Sequence, residues 1–175
     1  MHLPGQSIIR QHSFYNVSVY LKMAIICLLL CCGSTLQCWS QETKGFRFDE
    51  LIIATQQNRI TFQIEIADTN AQRAQGLMWR EKLPKNTGML FDYKIVDHVF
   101  MWMKNTLIPL DMIFISESGR ITNIVKNTTP HSIQIIASGA PVLAVLEIPA
   151  GTTSEYNIQI GDRVIHHIFS REKST

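Results

Sequence analysis

Between Ile60 and Ala67 the chain reads ITFQIEIA, with Ile60, Phe62, Ile64 and Ile66 separated by Thr61, Gln63 and Glu65. A period of two puts the four large apolar side chains on one face of a strand, whereas a helix would scatter them around its circumference. Short apolar runs follow at 88–91, 98–104, 111–116, 120–125 and 142–148, parted by Pro, Gly and Asn. Runs this short, with turn residues between them, suit strands better than helices. Leu51-Ile52-Ile53 is placed to pair with the 60–67 strand through a turn at Gln56-Gln57-Asn58. The period changes only in DTNAQRAQGLM, where Asp68 or Asn70 can cap a short helix ending near Gly76 to Met78. TTSE at 152–155 has the spacing of a capping box, and Gly161-Asp162 turns into a last strand over 163–169. The expectation is a mainly β fold: a jelly-roll-like sandwich or partly closed barrel with one or two short helices.

The first 40 residues read differently. From Met23 the chain runs MAIICLLLCCGSTLQCWSQ, and its apolar part, 24–32, is about half the roughly 20 residues of a membrane span. Small and polar residues follow, so the segment reads as a secretory signal cut near Ser40, with Met23 an alternative start. Residues 41–47 then form a polar tail and 48–170 a single β domain, periplasmic or secreted, with no stable membrane span. The chain carries 16 Lys and Arg against 14 Asp and Glu, and Arg10 and Lys22 fall in the signal, leaving 14 against 14. That balance gives no footprint for nucleic acid. All four cysteines (Cys27, Cys31, Cys32, Cys38) also leave with the signal, and with them any disulfide, thiolate nucleophile or cysteine metal site. No Gly-rich phosphate loop is present, and no cofactor is expected.

The strings RAQGLMWREKLPKNTGMLFDY, FMWMKNTLIPLDMIFI, GRITNIV and VLAVLEIPAG…IQIGDRV, spread from about Ile60 to Val164, are similar to the secreted domain-of-unknown-function family numbered 192. The chain departs from that pattern at Gln72, where the family usually has an acidic residue before the arginine of its helix. The resemblance implies a jelly-roll-like β fold and an extracytoplasmic location. It implies no activity.

Candidate functional residues therefore come from the chemistry of the chain. On a strand over 98–104, His98, Phe100, Trp102 and Lys104 share one face, and Val99, Met101 and Met103 the other. Trp102 beside Lys104, with Asn105 and Thr106 following, offers an apolar plate with donors at its rim. The plainer reading is a core tryptophan with a snorkelling lysine. Met101, Met103 and His98 invite a copper site, but the histidine falls opposite the methionines, which are more often core filler. Asp111 and Glu147 lie in strongly apolar runs, where a carboxylate needs a partner. Arg73, Arg80 and Lys104 are the expected partners. Two such acids facing one cleft could instead act as a glycan hydrolase pair. The binding reading joins Trp102, Lys104, Asn105, Asp111, Glu147 and Arg73 around a small envelope ligand or a protein partner. His131, His166 and His167 show no ligand spacing, the last two being expected on opposite faces of the final strand.

Overall fold

The computed structural model describes residues 45–170, so the signal segment and its cleavage site lie outside the described residues. The strands are β1 (Arg47–Ala54), β2 (Arg59–Ala67), β3 (Thr87–Asp97), β4 (Phe100–Met101), β5 (Leu110–Ile115), β6 (Ile121–Val125), β7 (Ile136–Ala137), β8 (Val142–Pro149) and β9 (Arg163–Ile165). Two short helices, α1 (Asn70–Gln75) and α2 (Thr152–Glu155), and a 3-10 turn (His167–Ser170) complete the set. Among the described residues no helix is long and apolar enough to cross a membrane.

Seven strands form one sheet in the order β6-β5-β8-β3-β2-β1-β9. Its two outer strands meet at their ends: the Ile121 N–H donates to the Asp162 carbonyl at 3.0 Å and the Val164 N–H to the Gly119 carbonyl at 2.7 Å. The sheet thus closes almost completely, and of the two expected architectures the partly closed barrel is the one formed. Gly119 permits this closure. Its φ is +76°, and a Cβ there would lie 2.6 Å from the Val164 carbonyl oxygen. Gly88 is demanded by contact alone, since a Cβ would meet the Glu147 carbonyl oxygen at 2.5 Å.

The β1–β2 hairpin forms as expected, and its register sets Leu51 opposite Phe62 and Ile53 opposite Ile60. β2 and β3 run parallel, which requires a crossover, and α1 supplies it. Thr69, rather than Asp68 or Asn70, caps that helix: its side chain accepts from the Gln72 N–H while the Gln72 side chain accepts from the Thr69 N–H. Gln72 thereby fills the third position of a capping box, which needs an acceptor but not a charge. The capping box expected at TTSE does not form. Gly151 is the N-cap, in the left-handed region at φ 85°, and no side chain caps α2. The last strand also stops early, at Ile165 instead of Phe169, and His167 opens a 3-10 turn.

The sheet is apolar on both faces. Leu51, Phe62, Ile64, Leu90, Ile113, Leu146 and Val164 fill the barrel interior. Met89, Phe91, Met112, Phe114 and Val145 project from β3, β5 and β8 on the outside, where Leu77, Val99, Met101 and Met103 cover them. Each large side chain so buried contributes roughly 1.5–3 kcal/mol, which explains why β5 and β8 read as nearly continuous apolar runs. The acids interrupting those runs are therefore placed by parity.

Candidate functional site

Across the β5–β8 ladder Asp111 lies opposite Ile148, and Met112 lies opposite Glu147. Residues directly opposite one another share a face, so Asp111 sides with the barrel interior and Glu147 with the outer layer. The two acids face opposite ways and cannot act on one substrate. The hydrolase pair is corrected on that ground.

Asp111 is fully buried. Its Oδ1 accepts from the Asn127 N–H at 2.9 Å, and its Oδ2 from the Thr153 N–H at 2.9 Å and the Thr153 hydroxyl at 2.6 Å. Main-chain donors from the segment after β6 and from α2 thus replace the expected basic partner, and Asp111 is no part of a ligand surface. Arg80 pairs instead with Glu65 at 2.5 Å. Arg73 donates to the Asp92 carbonyl at 2.8 Å and the Asn70 side chain at 2.5 Å, and its guanidinium stacks over the Tyr93 ring at 5.3 Å.

Glu147 is different. It sits between Met89 of β3 and Met112 of β5, its two cross-strand neighbours, and is 4% exposed. Its carboxyl makes no hydrogen bond or ion pair to any described residue, so the basic partner expected for it is absent too. Burial without a compensating cation pushes its pKa up to about 8, so at neutral pH it is mostly a neutral carboxylic acid, able to donate a hydrogen bond.

The exposed fraction of Glu147 opens into a cavity of about 250 Å³ between the segment after α1 and the β4 segment. Arg73, Tyr93, Met101, Trp102 and Lys104 line it with Glu147. Tyr93 is pushed up to about 12, first by burial and then by the nearby Glu147, with Arg73 opposing. Its hydroxyl donates to the Met101 sulfur at 3.2 Å. Trp102 is 47% exposed, so it is a wall of the cavity and not a core residue. The Lys104 ammonium lies 5.3 Å from its ring centroid, a cation–π contact worth roughly 0.5–1 kcal/mol at an exposed site. Phe100, also exposed, extends the apolar rim.

The structure therefore brings together four of the six expected site residues, Arg73, Trp102, Lys104 and Glu147, and leaves out two. Asn105 adopts φ 59°, its carbonyl accepts from the Trp79 N–H, and its side-chain amide turns to the Met78 sulfur at 3.8 Å. It fixes the wall segment from behind and does not line the cavity. The methionine pair packs inside as the alternation predicts: Met101 is 8% exposed and Met103 fully buried. The Met103 sulfur accepts from the Thr128 hydroxyl at 3.2 Å, and His98 is exposed on the other face. Tyr93 was missed. Met89, Phe91 and Tyr93 alternate with Leu90 and Asp92, and that alternation, carried beyond residue 91, was the available signal.

The family model DUF192, described as "Uncharacterized ACR", matches residues 52–166. A crystal structure of a candidate transcription regulator from Sinorhizobium meliloti 1021 is 39% identical, covers 71% of this chain and 97% of its own, and superposes with a TM-score of 0.70. A protein of unknown function from Novosphingobium aromaticivorans is 35% identical over 71% of this chain and 89% of its own, with a TM-score of 0.69. A comparison with curated proteins finds no match.

Proposed function

Since the chain belongs to the DUF192 family, whose description assigns no activity, we propose a function from the cavity itself: the protein binds a small molecule beneath Trp102. The observation that carries this reading is Glu147, an acid only 4% exposed that lines the cavity and has no hydrogen-bond or ion-pair partner among the described residues. A buried polar group is ordinarily satisfied, and one left waiting in a concave site asks for a ligand atom. As a neutral acid Glu147 donates to an acceptor oxygen. Trp102 offers a ring face for stacking, and the Lys104 ammonium at the rim attracts negative charge. The fitting ligand is small, with an apolar face or ring on one side and a carboxylate or hydroxyl group on the other.

Chemical-shift mapping with a panel of small carboxylates and monosaccharides tests the proposal. At least one member should give saturable shifts centred on Tyr93, Trp102 and Glu147. Trp102→Ala or Lys104→Ala should weaken that binding about tenfold, the equivalent of roughly 1.4 kcal/mol. If no member shifts these residues, or if the shifts survive both substitutions, the reading fails.

The same proposal places the protein in the periplasm or outside the cell, on the strength of the 24–32 apolar stretch and the small and polar residues after it. Mass spectrometry of the envelope fraction should find a terminus near Gln41. An intact Met1 or Met23 terminus, or a lipidated cysteine, would overturn that placement.

A further inference from the structure

The early end of β9 has a consequence for the two adjacent histidines. On a continued strand His166 and His167 would point apart. Because the strand stops at Ile165 and the chain turns at His167, their rings instead come together, with centroids 4.2 Å apart. Asp49, from the neighbouring strand β1, completes the group: its Oδ2 lies 3.2 Å from His166 Nε2 and 3.4 Å from His167 Nδ1.

We propose that Asp49, His166 and His167 form a binding site for a divalent first-row transition cation, with Zn(II) the best fit. One donor atom from each residue lies within 4.8 Å of the other two. A tetrahedral ion with ligands about 2.0–2.1 Å away spaces its donors about 3.3–3.4 Å apart, which is the spacing found from Asp49 to each imidazole. Two nitrogens and a carboxylate oxygen also form the donor set that borderline divalent ions prefer. The site is built on one side and open on the other. The His166 side chain is 1% exposed and held in place, whereas Asp49 and His167 reach solvent, leaving room for water to complete the coordination.

The Ile168 N–H approaches His166 Nδ1 at 3.5 Å, the long limit of a hydrogen bond. Binding the ion through Nε2 puts the ring proton on Nδ1, where it faces the Ile168 N–H instead of an acceptor, a cost that coordination has to outweigh. The family match spans 52–166, so Asp49 and His167 lie outside it. The site belongs to the two ends of this domain and is independent of the cavity under Trp102. Its effect would be to clasp the first strand to the last turn.

Calorimetric titration of the untagged protein with Zn(II), with Co(II) absorption as a second readout, tests the site. One-to-one binding is expected, with the visible bands of a low-coordinate Co(II) complex. Asp49→Asn and His167→Ala should each weaken binding at least about tenfold, since even indirect ligand partners are worth about 10–100-fold. His98→Ala and His131→Ala should bind as wild type. The substituted side chains reach solvent, so unchanged circular dichroism can confirm that the variants are folded. Absence of saturable binding tighter than about 1 mM, or one-to-one binding that survives His167→Ala, overturns the proposal.

Discussion

At about pH 9 the Glu147→Gln variant should be more stable than wild type by on the order of 3–5 kcal/mol, and near pH 4 the two should converge. The folded-state pKa of Glu147 is raised from 4.5 to about 8 by burial. Between those values the native state holds a proton that the unfolded chain releases. Stability then falls as pH rises, because its slope follows the protons bound unfolded minus those bound folded. The contribution is intact below about pH 4.5 and is lost progressively as pH rises through about 8. Glutamine keeps the shape and a donor without the charge. Tyr93 does not blur the measurement, since with its pKa pushed up to about 12 it stays neutral throughout. Chemical denaturation of both proteins across this range, read as a difference, isolates the residue from the histidines and surface acids they share. If the two curves stay parallel, Glu147 is ionised and compensated in the native state, and the case for a waiting donor in the cavity collapses. A ligand that accepts from Glu147 should also bind less well above about pH 8, where the acid no longer donates.

Much of this fold was legible because alternation is a local property. Ile60 to Ile66 and Val99 to Met103 each announce their faces without knowledge of their neighbours, and the structure keeps both. The elements that went wrong depend on what lies across from them. TTSE has the spacing of a capping box, but the helix starts from Gly151, which puts Thr152 inside it, and Glu155 is drawn to Lys85, which is 70 positions away in the chain. The final strand was read too long because nothing in RVIHHIFS marks where β1 stops pairing with it; the ladder ends with Ile52 opposite Ile165. The site shows the same division. Trp102 and Lys104 could be placed on one face by counting. Whether Asp111 and Glu147 face each other depends on the β5–β8 register, which pairs Asp111 with Ile148 and Met112 with Glu147 and leaves no trace in either segment alone.

Asp111→Asn should have the opposite sign. Both acids interrupt apolar strands, and sequence context alone would treat them alike. Asp111, however, gathers three donors: the Asn127 N–H, the Thr153 N–H and the Thr153 hydroxyl. Thr153 is fully buried, so water cannot replace the carboxylate there. An asparagine presents one oxygen and one NH2 group, and wherever the NH2 falls it faces a donor. Each buried donor left unmet costs about 1–3 kcal/mol, so Asp111→Asn should lose about 2–4 kcal/mol, a large share of the roughly 5–15 kcal/mol that holds a domain folded. Thr153→Val, which removes only the hydroxyl, should lose about 1 kcal/mol, in line with a single hydrogen bond. Because the same carboxylate ties α2 and the segment after β6 to the end of the barrel, hydrogen exchange should quicken first at Asn127 and Thr153. An Asp111→Asn protein that melts at or above wild type would show that the carboxylate is dispensable to the fold, and would return Asp111 to the list of functional acids.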